Sequence, residues 1–552
     1  MWNWISNILE YSEKSPMIFT RFYFWAFFAI VLLIYSLLAN KRVGRSLFIF
    51  AASLFFYYKT SGFFFFLLLF STITDYLIGF KIHKSSKEIN KKLWVALSVF
   101  INLSVLAYFK YSYFITDAIN DMFGTELTTR NFLAEFSNLL TGSSFDTAKI
   151  FLPVGISFFT FQTISYAVDV YRKKLKPVKN IIDFGFYVSF FPQLVAGPIV
   201  RAADFIPQIY KKFSLSRYDF GMAIFMILKG LIKKIMIGDY VAVNFVDRIF
   251  SNPDMYTGFE SLLAMFGYSL QVYVDFSGYT DMAIGVALLM GFRLPINFNS
   301  PYKARNPGEF WSRWHISLSS WLKDYLYIPL GGNRSAGFGT YINLFVVLAV
   351  ITLLSGQWWV AVILVCVCFV VGVFMRFFYK FRRHIETNIN RMVTMLLGGL
   401  WHGASWNFIL WGGINGLGVV WYKYWRKISP WENSNHWVAT AWKIALTLSF
   451  ITFTRVFFRA PDYDTATTML RLIGTDFNAA LIPQILWGYR KVVLMMIFGF
   501  TTHWLSYSFK DTWRDKFINS PHYLQAIISI VIIFIVYQSI CAGMQPFIYF
   551  QF

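Results

Sequence analysis

His402 stands inside Leu396–Asn407, Leu-Leu-Gly-Gly-Leu-Trp-His-Gly-Ala-Ser-Trp-Asn, within an apolar run from about Met392 to Trp421. An ionisable side chain at membrane depth is costly and is by default a functional hypothesis. Histidine is the side chain whose unperturbed pKa lies nearest neutrality, so the chemistry it suits is proton transfer. Gly398, Gly399, Gly403, Ala404 and Ser405 remove bulk on both sides of it. They let another helix or a substrate approach the backbone closely. A packing histidine bonded to a neighbouring helix satisfies the same pattern.

A second stretch with chemical side chains begins at Asn306-Pro307-Gly308-Glu309. Asn306 suits the N-cap, Pro307 the first helical position, and Glu309 stands three residues after the cap. The pattern predicts one helix to about Tyr327, ended by Pro329 and Gly331-Gly332. Trp311, Trp314, Leu318, Trp321 and Tyr325 fall on one face, and Arg313, Ser317, Ser320 and Asp324 on another. Such a helix lies in the membrane interface rather than spanning it. His315 borders its aromatic face. Arg293, Lys303, Arg305, Arg313, Lys323 and Arg334 surround the segment and put it on the cytoplasmic side. An interfacial anchor is the simpler account; the sharper one is the rim of an entrance for an anionic donor.

The elements that must position these groups are membrane helices. The chain has 552 residues, 57% of them hydrophobic, and a mean hydropathy of +0.51. Ordinary soluble domains are about 45–50% apolar. Here the apolar residues form blocks, several long enough for the roughly 20 residues of a spanning helix. The expected class is an all-α polytopic membrane protein. Aromatic residues make up 21%, which suits interfacial belts and aromatic-lined cavities. The net charge of +22 comes from short loops between apolar blocks, which is the positive-inside pattern and not a nucleic-acid footprint. Cys366, Cys368 and Cys541 form no C-x-x-C pair, so neither a disulfide framework nor a metal site is suggested. Glu10 and Glu13 against Lys14 do not make the basic start of a signal peptide.

Charge also orients the N-terminal third. Met17–Ala39 reads as the first span, followed by the cytoplasmic Lys41, Arg42 and Arg45. Leu47–Tyr58, short for a crossing, makes a hairpin with Phe63–Phe80 and returns to the lysine-rich segment Lys81–Lys92. Trp94–Ile115 crosses outward to a long acidic loop, Thr116–Ala148, and Phe151–Tyr171 returns. Ile181–Val200 then lies between two basic loops and contains Pro192, Gly197 and Pro198, so it reads as re-entrant. Broken backbone at membrane depth is tolerated only where it is buried in protein or lines a cavity. Gly221–Val246 carries Lys229, Lys233 and Lys234 and starts at the cytoplasmic interface. Ser261–Met290 is a span with Asp275 and Asp281, which either pair with nearby basic residues or line a wet cavity wall. No internal repeat of the transporter kind is visible. Residues 1–552 are taken as one integral membrane domain.

Phe310-Trp311-Ser312-Arg313-Trp314-His315-Ile316-Ser317-Leu318-Ser319, continued by Trp321-Leu322-Lys323-Asp324-Tyr325-Leu326-Tyr327-Ile328-Pro329-Leu330-Gly331-Gly332-Asn333-Arg334, resembles the signature of the membrane-bound O-acyltransferases. The resemblance is to the bacterial branch that holds the alginate O-acetyltransferases and the teichoic-acid D-alanyltransferases. Gly399-Leu400-Trp401-His402-Gly403-Ala404 is similar to that branch's second motif. Pro153–Phe158 and Gln193–Ile199 are similar too, and the likeness runs from about Arg45 to the C-terminus. The Tyr327–Arg334 continuation is nearer to the polysaccharide acetyltransferases than to the D-alanyl branch.

The resemblance implies a ring of about eleven spanning helices, with re-entrant and interfacial helices, around a central tunnel in the bacterial inner membrane. It implies a cytoplasmic thioester donor, acetyl-CoA or an acyl carrier, as co-substrate rather than a bound cofactor. It also implies an extracytoplasmic polysaccharide as acceptor, reached directly or through an SGNH-type acetyltransferase partner. His402 is then catalytic, and His315 matches the family's other recurrent histidine. Arg305, Arg313, Trp314 and Arg334 become candidates for the donor side. The reaction is acyl transfer from a thioester to a hydroxyl, with His402 as general base. No G-x-S-x-G elbow occurs, which weakens a serine acyl-enzyme. D-alanyl transfer to teichoic-acid-type polymers and a histidine-relay transporter or flippase are the alternatives. The tail Gln545–Phe552 is uncharged and aromatic. It either anchors at the interface or inserts in the outer tunnel mouth, where Tyr549 relays the acyl group.

Overall fold

Hydropathy and backbone chemistry dictate the architecture together. In lipid every backbone N–H and C=O must find a partner within the chain, and a helix supplies it locally. The computed structural model of the protein describes residues 10–12, 16–141, 146–195 and 197–540. Among the described residues the regular structure is entirely helical. Four helices are long and apolar enough to cross a membrane, or six if each bent pair counts as one span. Trp358–Phe377 has a mean hydropathy of 2.8 with none of that window buried, as expected of a helix whose solvent is lipid. Phe22–Leu37 is shorter, within the expected first span.

The chain forms two compact units, each built from separated segments. The first comprises Met1–Asn102, Val154–Ser319 and Asn435–Phe552. Its longest helix is Gly258–Leu289, 32 residues, started by a capping box between Thr257 and Glu260. It packs along Arg217–Leu231 and against Trp437–Arg459 and Tyr463–Thr475. Gly230 and Gly278 permit that close approach: a Cβ on Gly278 would stand 2.8 Å from the Gly230 carbonyl oxygen. The carboxylates on this helix are paired. Asp275 meets Lys234, whose ammonium is also 2.7 Å from Asp239. Asp281 takes Lys229 at 3.2 Å and Lys233 at 2.7 Å. Lys233, Lys234 and Asp239 all sit in a π-helical segment, Ile232–Asp239.

The segment expected to be re-entrant is broken into Ile181–Ser189 and Phe191–Leu194, and nearly all of it is buried. Two boundaries need correction. Leu47–Tyr58 is part of a twenty-residue helix, Arg42–Ser61. Arg45 is therefore no loop residue: it is buried and donates to the carbonyls of Ile209 and Lys211 at 3.0 and 2.8 Å. The long loop after residue 115 is partly helical, with Ser112–Phe123 running on and Phe132–Thr141 following.

The second unit comprises Leu103–Pro153 and Ser320–Ser434. Its centre is a pair of helices, Tyr379–His402 and Trp406–Ile428. The apolar run from Met392 to Trp421 is thus a helical hairpin, not one span. Gly412 faces Gly399, and Gly416 faces Met392 and Met395, so the two helices run antiparallel. A Cβ on Gly399 would lie 3.1 Å from the Gly412 Cα. The small residues around His402 therefore admit a neighbouring helix, one of the two roles the sequence allows them.

Candidate active site

His402 is the last residue of its helix, and Gly403 continues in extended conformation (φ −160°). The imidazole is 3% exposed. The Trp401 and Trp411 rings lie 4.9 and 5.1 Å from it, both nearly perpendicular. Gly403 is required by packing, because any Cβ there would run into the Phe408 ring. The carbonyls that a helix C-terminus leaves unpaired are satisfied from one short segment. Lys110 Nζ donates to the Trp401 and His402 carbonyls at 2.7 and 3.0 Å, and the Tyr111 hydroxyl donates to Leu400 at 2.7 Å. An ammonium at this end also complements the helix dipole. Lys110 and Tyr111 close a π-helical turn, Ala107–Tyr111, of the type that often sits at functional sites. The sequence reading does not single out either residue. The only signal was a lysine inside an apolar block.

His315 belongs to the first unit and has a different setting. The helix starting at Pro307 is capped as expected, with Asn306 Oδ1 accepting the Glu309 N–H at 2.8 Å. It ends at Arg313, and a new helix starts at Ile316. The single helix expected to Tyr327 is thus corrected to two, with a π-helical turn at Lys323–Tyr327. Asn297 makes the break. Its carbonyl accepts from Ile316 N at 2.9 Å, and its Oδ1 accepts from Ser317 N and Oγ at 3.1 and 2.9 Å. His315 bridges the helices at φ +43°, a conformation costing on the order of 1–3 kcal/mol in a non-glycine residue. Its Nδ1 is 3.1 Å from the same Oδ1. That oxygen can only accept, so Nδ1 carries the proton and Nε2 keeps its lone pair. The Phe276 ring packs 4.6 Å from the imidazole. His315, Phe310, Trp314, Leu318 and Trp321 are all buried. The interfacial-anchor account therefore fails: this segment packs inside protein.

Burial pushes the His315 imidazole down to about 3, against about 6.5 in an unfolded chain. Between those values the unfolded chain binds a proton that the folded one excludes. The contribution of His315 to stability is whole above about pH 6.5 and is lost as pH falls toward 3. His315→Gln is expected to lose less melting temperature than wild type between pH 7 and pH 5. Equal losses in the two proteins would mean the ring is solvated.

The remaining candidates are dispersed. Arg313 is engaged by Glu309 at 2.8 Å, by the Asn299 carbonyl at 3.2 Å and by the Tyr507 hydroxyl at 3.0 Å. Trp314 lies under the Arg455 guanidinium, 4.3 Å from its ring centre. Arg305 is exposed in the first unit. Arg334 is exposed in the second, on a turn with Gly331 and Gly332 at φ +115° and +57°. That turn is tied to the His402 helix by Asn390, whose Nδ2 donates to the Gly332 and Ser335 carbonyls at 3.0 and 2.9 Å. Tyr549 and Cys541 lie outside the described residues.

The membrane-bound O-acyltransferase family model matches residues 100–390, a stretch that contains His315 and stops short of His402. The chain is similar to a peptidoglycan O-acetyltransferase of Helicobacter pylori, 31% identical over 86% of this chain and 82% of that one. It is similar to a probable alginate O-acetylase AlgI of Azotobacter vinelandii, 36% identical over 72% of this chain and 66% of that one. It is more distantly similar to a teichoic acid D-alanyltransferase of Bacillus subtilis, 28% identical over 54% and 67% of the two chains.

Proposed function

Because the chain belongs to the membrane-bound O-acyltransferase family, we propose that it moves an acetyl group from a cytoplasmic thioester across the bacterial inner membrane to the hydroxyls of an extracytoplasmic polysaccharide. The chain is a multi-pass membrane acyltransferase, which sets aside the transporter reading. The observation carrying the finer proposal is the buried His402 at a helix end whose carbonyls are held by Lys110 and Tyr111. In the reaction, His402 takes the proton from an acceptor hydroxyl as its oxygen attacks the thioester carbon. The tetrahedral adduct then collapses, the C–S bond breaks, and the thiolate leaves with the proton returned by the imidazolium. A positioned base is typically worth 10²–10⁴-fold in such a step. About eleven spans around a tunnel complete the picture, and the discontinuity of both units supports treating residues 1–552 as one domain.

The relatives are named for alginate, peptidoglycan and teichoic acid, and the acceptor is a hydroxyl-bearing envelope polymer of that general kind. D-alanyl transfer is the second reading. Mass analysis of envelope polysaccharide from cells with and without the chain tests both at once. Loss of 42 mass units per site, about the size of an acetyl group, is expected. An unchanged polymer overturns the proposal.

Two further outcomes follow from the donor and relay assignments. Reversing the charge of Arg305 or Arg334 is expected to raise the donor KM and steepen its salt dependence, with kcat little changed. Arg313 is a poorer probe, because its replacement also frees Glu309. An effect confined to acceptor use would place these arginines on the wrong side. For the tail, we propose that Tyr549 accepts the acyl group before an SGNH-type partner moves it to polymer. A phenol, with pKa near 10, leaves more readily than a sugar alcohol. Tyr549→Phe keeps the ring and deletes the oxygen. Near-total loss of polymer acylation is expected, and normal acylation would reduce the tail to an anchor.

A further inference from the structure

Lys229 and Lys233 reach the same carboxylate, Asp281, at 3.2 and 2.7 Å. Lys303 and Lys510 arrive from segments remote in sequence. Each donates to a backbone carbonyl, Lys303 to Leu505 at 2.8 Å and Lys510 to His503 at 2.7 Å. Lys510 lies in the electrostatic field of Lys303, Lys233 and Lys229, so the four make one cluster. All four are half-buried. The other carboxylates close in sequence are engaged elsewhere: Asp511 and Asp515 hold Arg514 at 2.7 and 2.9 Å, and Glu309 holds Arg313. Four lysines therefore share one acid. Away from bulk water their repulsion is strong, and the arrangement is complete only with an anion among them.

A buried donor sits at the same place. His503 is 4% exposed and lies in the field of Lys510, Lys233 and Lys303. Its Nε2 accepts the Tyr302 N–H at 3.3 Å, which leaves the proton on Nδ1. Among the described residues Nδ1 has no hydrogen-bond partner. The cluster also adjoins the His315 turn. Lys233 stands 5.4 Å over the Tyr273 ring, and Tyr273 packs 6.3 Å from Trp314, the neighbour of His315.

We propose that this cluster is a phosphate-binding site that holds the phosphorylated end of the acyl donor, a thioester on a phosphate-bearing pantetheine arm. Lysine ammoniums act here as point charges on phosphate oxygens, and the arm passes Tyr273 and Trp314. The inference rests on the acyl-transfer reading. A lipid headgroup phosphate offers the same chemistry, and so does the arm of a carrier protein; the probes below separate the three.

The test uses the full chain in nanodiscs and probes that cannot be acylated: desulfo-coenzyme A, and 4′-phosphopantetheine with its thiol blocked. Lys303→Gln/Lys510→Gln is expected to raise the Kd for desulfo-coenzyme A at least about tenfold, the size of one lost charged hydrogen bond. Lys510→Arg, which keeps the charge, is expected to bind near wild type. Lys510→Gln alone, a lighter change, is expected to shift Kd in the same direction. An effect as large on the phosphopantetheine probe assigns the site to a carrier's single phosphate, and a smaller one assigns it to coenzyme A; both uphold it. Unchanged Kd for both probes overturns the site. Loss of bound phosphatidylglycerol with unchanged probe affinity also overturns it, in favour of a lipid headgroup. These bindings need no turnover, so they stand or fall separately from the fate of His402→Ala.

Discussion

His402→Ala is expected to lower acyl transfer by at least about 10²-fold, because a general base is removed and no other group is placed to replace it. The same substitution is expected to leave the fold in place, for a structural reason. Lys110 and Tyr111 grip the backbone carbonyls of residues 400–402, not the imidazole. Truncating the side chain cuts none of those bonds. The loss is confined to contacts with the Trp401 and Trp411 rings. The measurement is transfer from labelled acetyl thioester in membranes, with size-exclusion elution of the purified variant as the fold control. Activity above about a tenth of wild type, in a protein of normal elution, would remove His402 from the base role.

Lys234→Met is expected to cost stability rather than chemistry, and heavily. Lys234 is almost fully buried and serves both Asp239 and Asp275. Removing it strands two carboxylates away from water, and breaking a buried pair in this way typically costs about 3–5 kcal/mol. The triple variant Lys234→Met/Asp239→Asn/Asp275→Asn removes all the charges together and is expected to recover much of the loss. Thermal unfolding of the two proteins in the same detergent decides it. A single variant as stable as wild type would show that water or an ion compensates the acids.

How much of this was legible in the sequence depended on range. Membrane character followed from composition and block length, because lipid solvation acts residue by residue. The cap at Asn306 was legible because it needs only Glu309, three residues on. His402 stood out as an ionisable group among apolar neighbours. What escaped were partners far along the chain. Nothing in the three- and four-residue spacing of Trp311 to Tyr325 announces that Asn297 will intercept the backbone at Ile316 and Ser317 and force His315 to positive φ. Asp275 needed a partner, but Lys234 had to be found forty-one residues upstream. The run from Met392 to Trp421 read as one span because its turn, Gly403-Ala404-Ser405, is small and uncharged. Only the fit of Gly399 against Gly412 reveals a hairpin.

The π-helical turn at Ala107–Tyr111 acts as a phase slip in a long helix. Wide turns of this kind behave as a single extra residue spliced into an α-helix. Upstream and downstream faces are consequently out of step by about 100°, the angle of one residue. Adjacent residues, which an ordinary helix would splay apart, can then serve one target, as Lys110 and Tyr111 do at the end of the His402 helix. Deleting any one residue from that turn is therefore not a small change. It restores the ordinary pitch, rotates Ser112–Phe123 as a block, and carries one of the two donors away from the carbonyls. Point substitutions here are graded, whereas a one-residue deletion acts on the whole downstream helix at once.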